Sequence, residues 1–415
     1  MPGVKTIKEP ARTIPVRGEY DVVVAGGGIA GVSAAVAAAR EGASVCLIER
    51  QIGLGGLATL GIVTCWLPIC DGAGRQVIGG IGEELLRLSV KGMKAENNTA
   101  IFHGIPACWE KGGSIEERRK KRFMTSFNPG LYALRLEKWI LDAGVHLMYD
   151  TSVCEVRRSR GKVTHVIVEN KSGRSAIACG AVVDATGDAD ICHLAGEETQ
   201  VSNANVAAAW FYYLKDGVAY LSTTSNAFHD KLDPTMLSCR HYDGTDAEQV
   251  TQQVIESHEL VMNDSAKYAA QNPDSAVEPF YLPSIPCFRA TRRLVGEQSM
   301  KEEDMYRWFD DTIGLTGDWR RRGPVFAITM RMLRGVANAN LLAAGRCYSM
   351  DTSTWDCGRV IPTCAITGEA AGLAAAVAVK KHHGNVHAIG IKSFQAKMRR
   401  NGNLLSPELV AKAAL

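Results

Sequence analysis

The sequence predicts an α/β fold with a parallel sheet at its centre and an α+β unit inserted into it. Three observations carry that expectation. Near the N-terminus a glycine-rich turn joins a short apolar run to an alanine-rich helix. A second buried strand follows directly, completing a βαβ unit. The same glycine and alanine texture returns near the C-terminus, after a long stretch of different composition.

In chain order, residues 1–18, with Pro2, Pro10 and Pro15, read as a loose arm. Asp21–Ala25 is apolar and bounded by glycine, as a parallel strand covered on both faces should be. Ile29–Arg40 is a helix stopped by Gly42, and Ala43–Ile48 is a strand closed by Glu49. Gly53–Gly82 is so rich in glycine that its backbone must pass close to something or turn sharply. A helix is expected from Glu83 to Lys94, then an insertion of little periodicity over about 95–128. Leu131–Ala143 reads as a helix with Leu131, Leu134, Trp139 and Ile140 on its apolar face. Strands are expected at 145–149, 151–157, 163–169 and 175–183, the last two forming a hairpin that turns at Asn170–Gly173. Residues 197–330 bring aromatic strands such as Ala208–Tyr213, polar helices and several prolines, the texture of an inserted domain. From Ala339 the first texture resumes.

Bulk composition excludes more than it selects. The 415 residues carry 47 Lys and Arg against 44 Asp and Glu, a formal charge of +3. That near-balance argues against nucleic acid as a partner. The densest basic run, Arg118–Arg122, follows two glutamates and reads as a solvated, charge-mixed face. No uninterrupted apolar stretch reaches the roughly 18 residues of a membrane helix; Ala370–Val379 falls short, so no membrane insertion is expected. The twelve cysteines are scattered singly without a C-x-x-C pair, so no metal site is expected and free thiols in a cytoplasmic protein fit best.

The chemistry begins at the first turn. Gly26, Gly28 and Gly31 form G-x-G-x-x-G between strand and helix. The first glycine permits the turn, the second lets backbone approach a pyrophosphate, and the third lets the helix pack on the sheet. The free N–H groups of the helix start favour phosphate. Glu49 closes the second strand, where a carboxylate accepts hydrogen bonds from a ribose diol. Together these features specify dinucleotide binding.

Which dinucleotide follows from a resemblance. The glycine turn with Glu49, the Gly55–Thr59 run with Ile78–Glu84, Val182–Asp188, and Leu342–Arg346 with Arg359–Thr363 occur in the order found in flavoproteins with a glutathione-reductase-type FAD domain. The chain is similar to the FAD-dependent oxidoreductase family, relatives of the fumarate reductase and succinate dehydrogenase flavoproteins. The resemblance implies non-covalent FAD held by a discontinuous FAD-binding domain, residues 19–196 and 331–415, with 197–330 as substrate or cap domain. It implies cofactor contacts from Gly26, Gly28, Ile29, Ala30, Gly31, Glu49 and Arg50, and from Gly55, Gly56, Leu57, Ala58 and Thr59. It adds Val153, Ala185, Thr186, Gly187, Asp188, Gly345, Arg346, Arg359 and Thr363. The helix beginning at Pro362 would point its N-terminus at the pyrimidine edge of the flavin, where its dipole favours negative charge.

Three residues are catalytic candidates. Arg359 offers a full positive charge at that helix start, or else pairs structurally with Asp351 or Asp356. Arg292, in the stretch Phe288–Glu297 with Arg289 and Arg293, binds a carboxylate or polyol, or braces the domain interface. His103, in the insertion, is an acid–base candidate, as are His229 and His241. Cys65 and Cys70 have the spacing of a redox disulfide, but stand further from the paired glycines than in flavin-linked disulfide reductases.

The expected activity is hydride transfer between a small-molecule substrate and FAD. The alternatives are reduction of an activated double bond and service as a flavoprotein subunit of an electron-transfer or tRNA-modifying assembly. No second nucleotide turn follows a strand, so electrons are expected from the substrate or from a separate donor or acceptor. A homo-oligomer is left open.

Overall fold

The computed structural model describes residues 6–93, 104–110, 113–226 and 239–413. Strand β1 (Val16–Ala25) begins earlier than its apolar run, because Val16–Gly18 pair with a neighbouring strand through main-chain bonds that need no apolar side chain. Helix α1 (Ile29–Arg40) is buried along Ile29–Ala38. Strand β2 (Val45–Ile48) returns parallel to β1, with Val22 opposite Val45. The strand β3 (Cys65–Trp66) and helix α2 (Gly80–Ser89) follow. Among the described residues of the expected insertion, helix α3 (Ile115–Lys120) is fixed by a Ser114–Glu117 capping box, and β4 (Thr125–Ser126) pairs with β3.

Helix α4 (Pro129–Asp142) is capped by Asn128, whose side chain accepts from the Leu131 amide. Its buried face differs from the expected one. Tyr132, Leu136 and Ile140 are buried, whereas Leu131 and Leu134 are 45% and 65% exposed. The aromatic Tyr132, which packs on Trp66 and Phe127, sets the rotation of the helix. Strands β5 (His146–Met148), β6 (Ser152–Ser159), β7 (Lys162–Asn170) and β8 (Gly173–Asp184) come next. The β7–β8 hairpin turns at Asn170 and Gly173 as expected. Helix α5 (Asp190–Leu194) follows β8.

Residues 197–294 contain β9 (Thr199–Val201), β10 (Ala208–Lys215), β11 (Val218–Ser225), helix α6 (Ala247–Gln271), β12 (Val277–Tyr281) and β13 (Arg292–Leu294). β10 lies between β11 and β12 in an antiparallel sheet, with α6 packed on Ala209 and Phe211 through Val261. A hairpin of β14 (Thr312–Gly317) and β15 (Val325–Thr329) is different: its Ile313, Leu315 and Phe326 join the main core. The chain closes with β16 (Leu341–Ala343), α7 (Trp355–Gly358), α8 (Ile361–His382), α9 (Ile391–Arg400) and α10 (Pro407–Val410).

The central sheet has seven strands in the order β5-β2-β1-β8-β7-β6, with β16 parallel to the end of β8. β8 is long enough to pair with β7 along its first half and β16 along its second. Helices α1 and α8 pack on each other with backbone nearly in contact. A Cβ on Gly368 would lie 2.2 Å from the Ala30 carbonyl oxygen, and one on Gly372 would lie 2.0 Å from that of Ala34. Helix α8 is long and apolar enough to cross a membrane although its apolar run is interrupted; 89% of its apolar window is buried inside the protein.

Candidate functional site

A cavity of about 400 Å³ opens at the C-terminal ends of β1 and β8, where α1 and α8 begin. Ligands of open α/β sheets bind at such strand ends. At the β1–α1 turn, Gly26 has φ +99°, and a Cβ on it would lie 2.5 Å from the Ala185 carbonyl oxygen. A Cβ on Gly31 would lie 1.7 Å from the Gly26 oxygen. Gly28 is the opposite case. It lines the cavity, has ordinary extended backbone, and a Cβ there would meet no atom within 4 Å. Its missing side chain leaves room beside the free amides of α1.

Glu49 reaches the cavity from the end of β2 and is 8% exposed. Its Oε2 accepts from the Gly27 amide at 2.5 Å and its Oε1 from the Gln51 amide at 2.8 Å. Burial pushes its pKa up, while those amides and Arg50 pull it down. The β2-side wall continues through Gly55–Ala58, with Gly55 bridged to Gly28.

On the other side, Ala185–Asp188 and Gly345–Arg346 approach from β8 and β16. Arg346 Nε donates to Gly187 O at 2.9 Å, Nη1 to Phe288 O at 3.0 Å and Nη2 to Asp188 at 2.7 Å. Arg292 donates to Asp188 O at 2.9 Å and to Asp190 at 2.6 Å. These two arginines stitch the 288–292 segment onto the 187–190 turn. Burial, with Asp188 and Asp184 nearby, pushes Asp190 up to about 6, and Arg292 opposes that rise.

The far end of the cavity is the start of α8. The cap residue Val360 supplies no side-chain acceptor, and Pro362 in the first turn has no amide to satisfy. Arg359 and Ile361 line the cavity here, and Arg359 is held by Asp356 at 2.5 Å. Gly244, Val250, Ile285, Pro286, Phe288 and Thr291 form the opposite wall.

A family model described as FAD dependent oxidoreductase matches residues 21–209 and 204–398. The chain belongs to the FAD-dependent oxidoreductase family. FAD is its cofactor, and it is an enzyme. Among solved structures, it is similar to a geranylgeranyl bacteriochlorophyll reductase-like protein of Thermoplasma acidophilum, at 13% identity over 92% of this chain and 83% of that one, with TM-score 0.48. It is also similar to the Sdh1 complex of Mycobacterium smegmatis, at 13% identity over 93% and 72%, with TM-score 0.48. A p-nitrophenol 4-monooxygenase of Pseudomonas putida DLL-E4 matches at 10% identity over 94% and 86%, with TM-score 0.45.

The residues present fit FAD. Gly28 leaves an open cradle at the amides of α1, Glu49 offers carboxylate oxygens to a diol, and α8 begins without a side-chain cap. Thr291, 1% exposed at the wall, has a hydroxyl without a partner. Buried polar groups are seldom left so.

Of the residues expected at the cofactor, Gly26, Gly28, Ile29, Ala30, Glu49, Arg50, Gly55, Gly56, Leu57, Ala58, Ala185, Thr186, Gly187, Asp188, Gly345, Arg346 and Arg359 line the cavity. Gly31, Thr59, Val153 and Thr363 do not. Gly31 serves the turn, while Thr59 donates to Leu54 O and Thr363 to Cys357 O. Arg292 also lies outside the lining, its guanidinium engaged by Asp188 and Asp190. His103 and His229 lie outside the described residues. Cys65 pairs with Ser126 and Cys70 with Gln76; neither lines the cavity, and burial pushes both thiols up to about 11. The sequence reading missed Leu60, Gln51, Ile361, Cys364 and the wall from the inserted region. Gln51 and Ile361 adjoin named residues and were within reach, but Gly244 and Ile285 carry no local signal.

Proposed function

We propose that this enzyme transfers a hydride between a small-molecule substrate and FAD lying along the cavity, with the part of residues 197–330 that precedes the β14–β15 hairpin acting as the cap that shapes the substrate site. The observation that carries the reading is the continuity of the cavity from Glu49 and the β1–α1 turn to Arg359 and Ile361 at the start of α8. When bound, FAD supplies two-electron redox chemistry. The chain supplies position and charge. Amides of the Gly26–Gly31 turn receive the pyrophosphate, and Glu49 accepts the adenosine ribose hydroxyls. The uncapped amides of α8 and the Arg359 guanidinium stabilise negative charge at the redox end, with Asp356 fixing the arginine in place. Ile285, Pro286 and Phe288 exclude water from the opposite wall. Without a second nucleotide turn, the electrons come from the substrate or a separate carrier.

The test is the visible spectrum of the purified protein, titrated without oxygen against NADH and NADPH. A colourless protein that takes up no added FAD would sink the reading. Stoichiometric bleaching by a nicotinamide would assign a reductase fed by that carrier. A flavin that resists both but bleaches with an alcohol, amine or acid would assign a dehydrogenase reduced by its own substrate.

A further inference from the structure

The basic run Arg118–Arg122 has a second half that only the fold supplies. The turn between β14 and β15 carries Arg320, Arg321 and Arg322, all exposed, and it packs beside Arg122. Arg122 Nη1 donates to Arg321 O at 3.1 Å and Nη2 to Asp318 O at 2.7 Å. Both contacts are to carbonyls, and among the described residues no carboxylate is hydrogen-bonded to its guanidinium. Its Nε is buried and has no partner.

The two side chains converge on one glycine. A Cβ on Gly72 would lie 2.9 Å from Arg322 Cγ and 3.2 Å from Arg122 Cδ. Gly72 has φ +81°, so the loop that lets the arginines approach is one that a side chain would strain. The nearby carboxylates are already engaged. Asp318 holds Arg320 at 3.0 Å and Arg321 at 2.7 Å, Asp71 holds Arg75 at 2.6 Å, and Glu302 pairs with Arg321. Among the described residues none of them is hydrogen-bonded to Arg322. Arg122 feels Asp318, Asp71 and the Cys70 thiol on one side and the like charge of Arg322 on the other; with burial as the main cause, its pKa is lowered. Lys120 and Lys121, both exposed, add charge at the rim.

We propose that Arg122 and Arg322 form a binding site for an oxyanion, the phosphate or carboxylate group of a small ligand. Two arginines whose side-chain stems converge over Gly72, with the neighbouring carboxylates bound to other arginines, are suited to a tetrahedral or planar oxyanion. Neither arginine lines the cofactor cavity, so the site is additional to it. A short bridge joins the two. Trp319 Nε1 donates to Asp356 O at 2.9 Å, and Asp356 holds Arg359 at the cavity wall.

The experiment is thermal unfolding of the full chain in excess FAD, which keeps added anions out of the nucleotide turn. Inorganic phosphate and succinate are titrated separately, each against chloride at equal ionic strength. A ligand that binds only the folded state raises Tm with the logarithm of its concentration above Kd, here by roughly 3 °C at a hundredfold excess over Kd. Arg322→Ala should abolish that rise and Arg322→Lys should keep part of it. A rise with phosphate alone assigns a phosphoryl ligand, and one with succinate alone a carboxylate. No rise with either anion, or equal rises in the wild type and Arg322→Ala, overturns the site.

Discussion

The β1–α1 turn and the loop Asp71–Arg75 are both written in glycine, yet their glycines face opposite things. At Gly28 a side chain would project into a cavity and touch nothing. At Gly72 it would run into two arginine stems, and at Gly74 into the Ile115 carbonyl, with the Arg119 side chain close by. Further along the same stretch, Gly80 is covered by the Glu369 carboxylate, 2.7 Å from its would-be Cβ. A missing side chain marks a ligand site only where the space it leaves is empty. Where the space is filled, glycine is there for packing.

Substitutions can break that comparison, and the largest effect belongs to packing. Gly31→Ala forces a Cβ to within 1.7 Å of backbone. It should cost about 3 kcal/mol or more in unfolding free energy, measured by denaturant titration of the apoprotein. A stable Gly31→Ala variant would mean that α1 starts elsewhere.

Gly28→Val tests the opposite case. Its backbone is ordinary and its Cβ meets no atom within 4 Å, so the apoprotein should melt close to the wild type. FAD affinity should fall about 100-fold, equivalent to about 2.7 kcal/mol, read by flavin fluorescence. An unchanged affinity would remove the turn from the cofactor site.

Glu369 sharpens the third kind of glycine position. Its carboxylate accepts from the Ile81 amide at 2.9 Å and from Asn403 at 2.8 Å, capping α2 from a distant helix. Burial nonetheless pushes its pKa up to about 7. Because the folded-state value lies above the unfolded one, its stability contribution is fully present below about pH 4.5 and is lost as pH rises through 7. Glu369→Gln cannot ionise, and its amide can donate to Asn403 Oδ1, which lacks a partner. The variant should be more stable than the wild type at pH 8 by something on the order of 2 kcal/mol, with the gap closing at pH 4.5. Melting curves at both pH values decide it; a variant weaker at pH 8 would mean that the charged form is the better cap.

The smallest effect is expected at Gly72→Ala. A non-glycine residue at φ +81° costs about 1 kcal/mol, and the nearest atoms belong to flexible arginine side chains. FAD affinity should not move. A loss of flavin on this substitution would join the loop to the cofactor cavity and undo the contrast with Gly28.

Much of the fold was legible because its signals are local. The βαβ unit, the β7–β8 hairpin and the α8 start are each written in contiguous residues whose backbone requirements are distinctive. Amphipathic faces were less legible. In α4, leucines at 131 and 134 have the right spacing for a buried face, but the helix turns Tyr132 inward because Trp66 and Phe127 offer the larger contact. Site residues followed the same rule. Glycines and Glu49 announce themselves by spacing, whereas Ile285, Phe288 and Thr291 reach the cavity only because Arg346 and Arg292 pin their segment to the 187–190 turn.

The sequence by itself determined the nucleotide turn, the acid that closes β2, the order of the family-like blocks and therefore the family, since each depends on neighbours a few residues apart. Only the tertiary structure decided which glycines face empty space, that Arg292 is engaged by the 187–190 turn and does not itself line the cavity, and that two basic segments nearly two hundred residues apart, as the Arg122–Arg321 contact records, meet over Gly72. The physical reason is that backbone conformation is encoded locally, while the occupant of the space beside a residue is set by whichever distant chain folds against it.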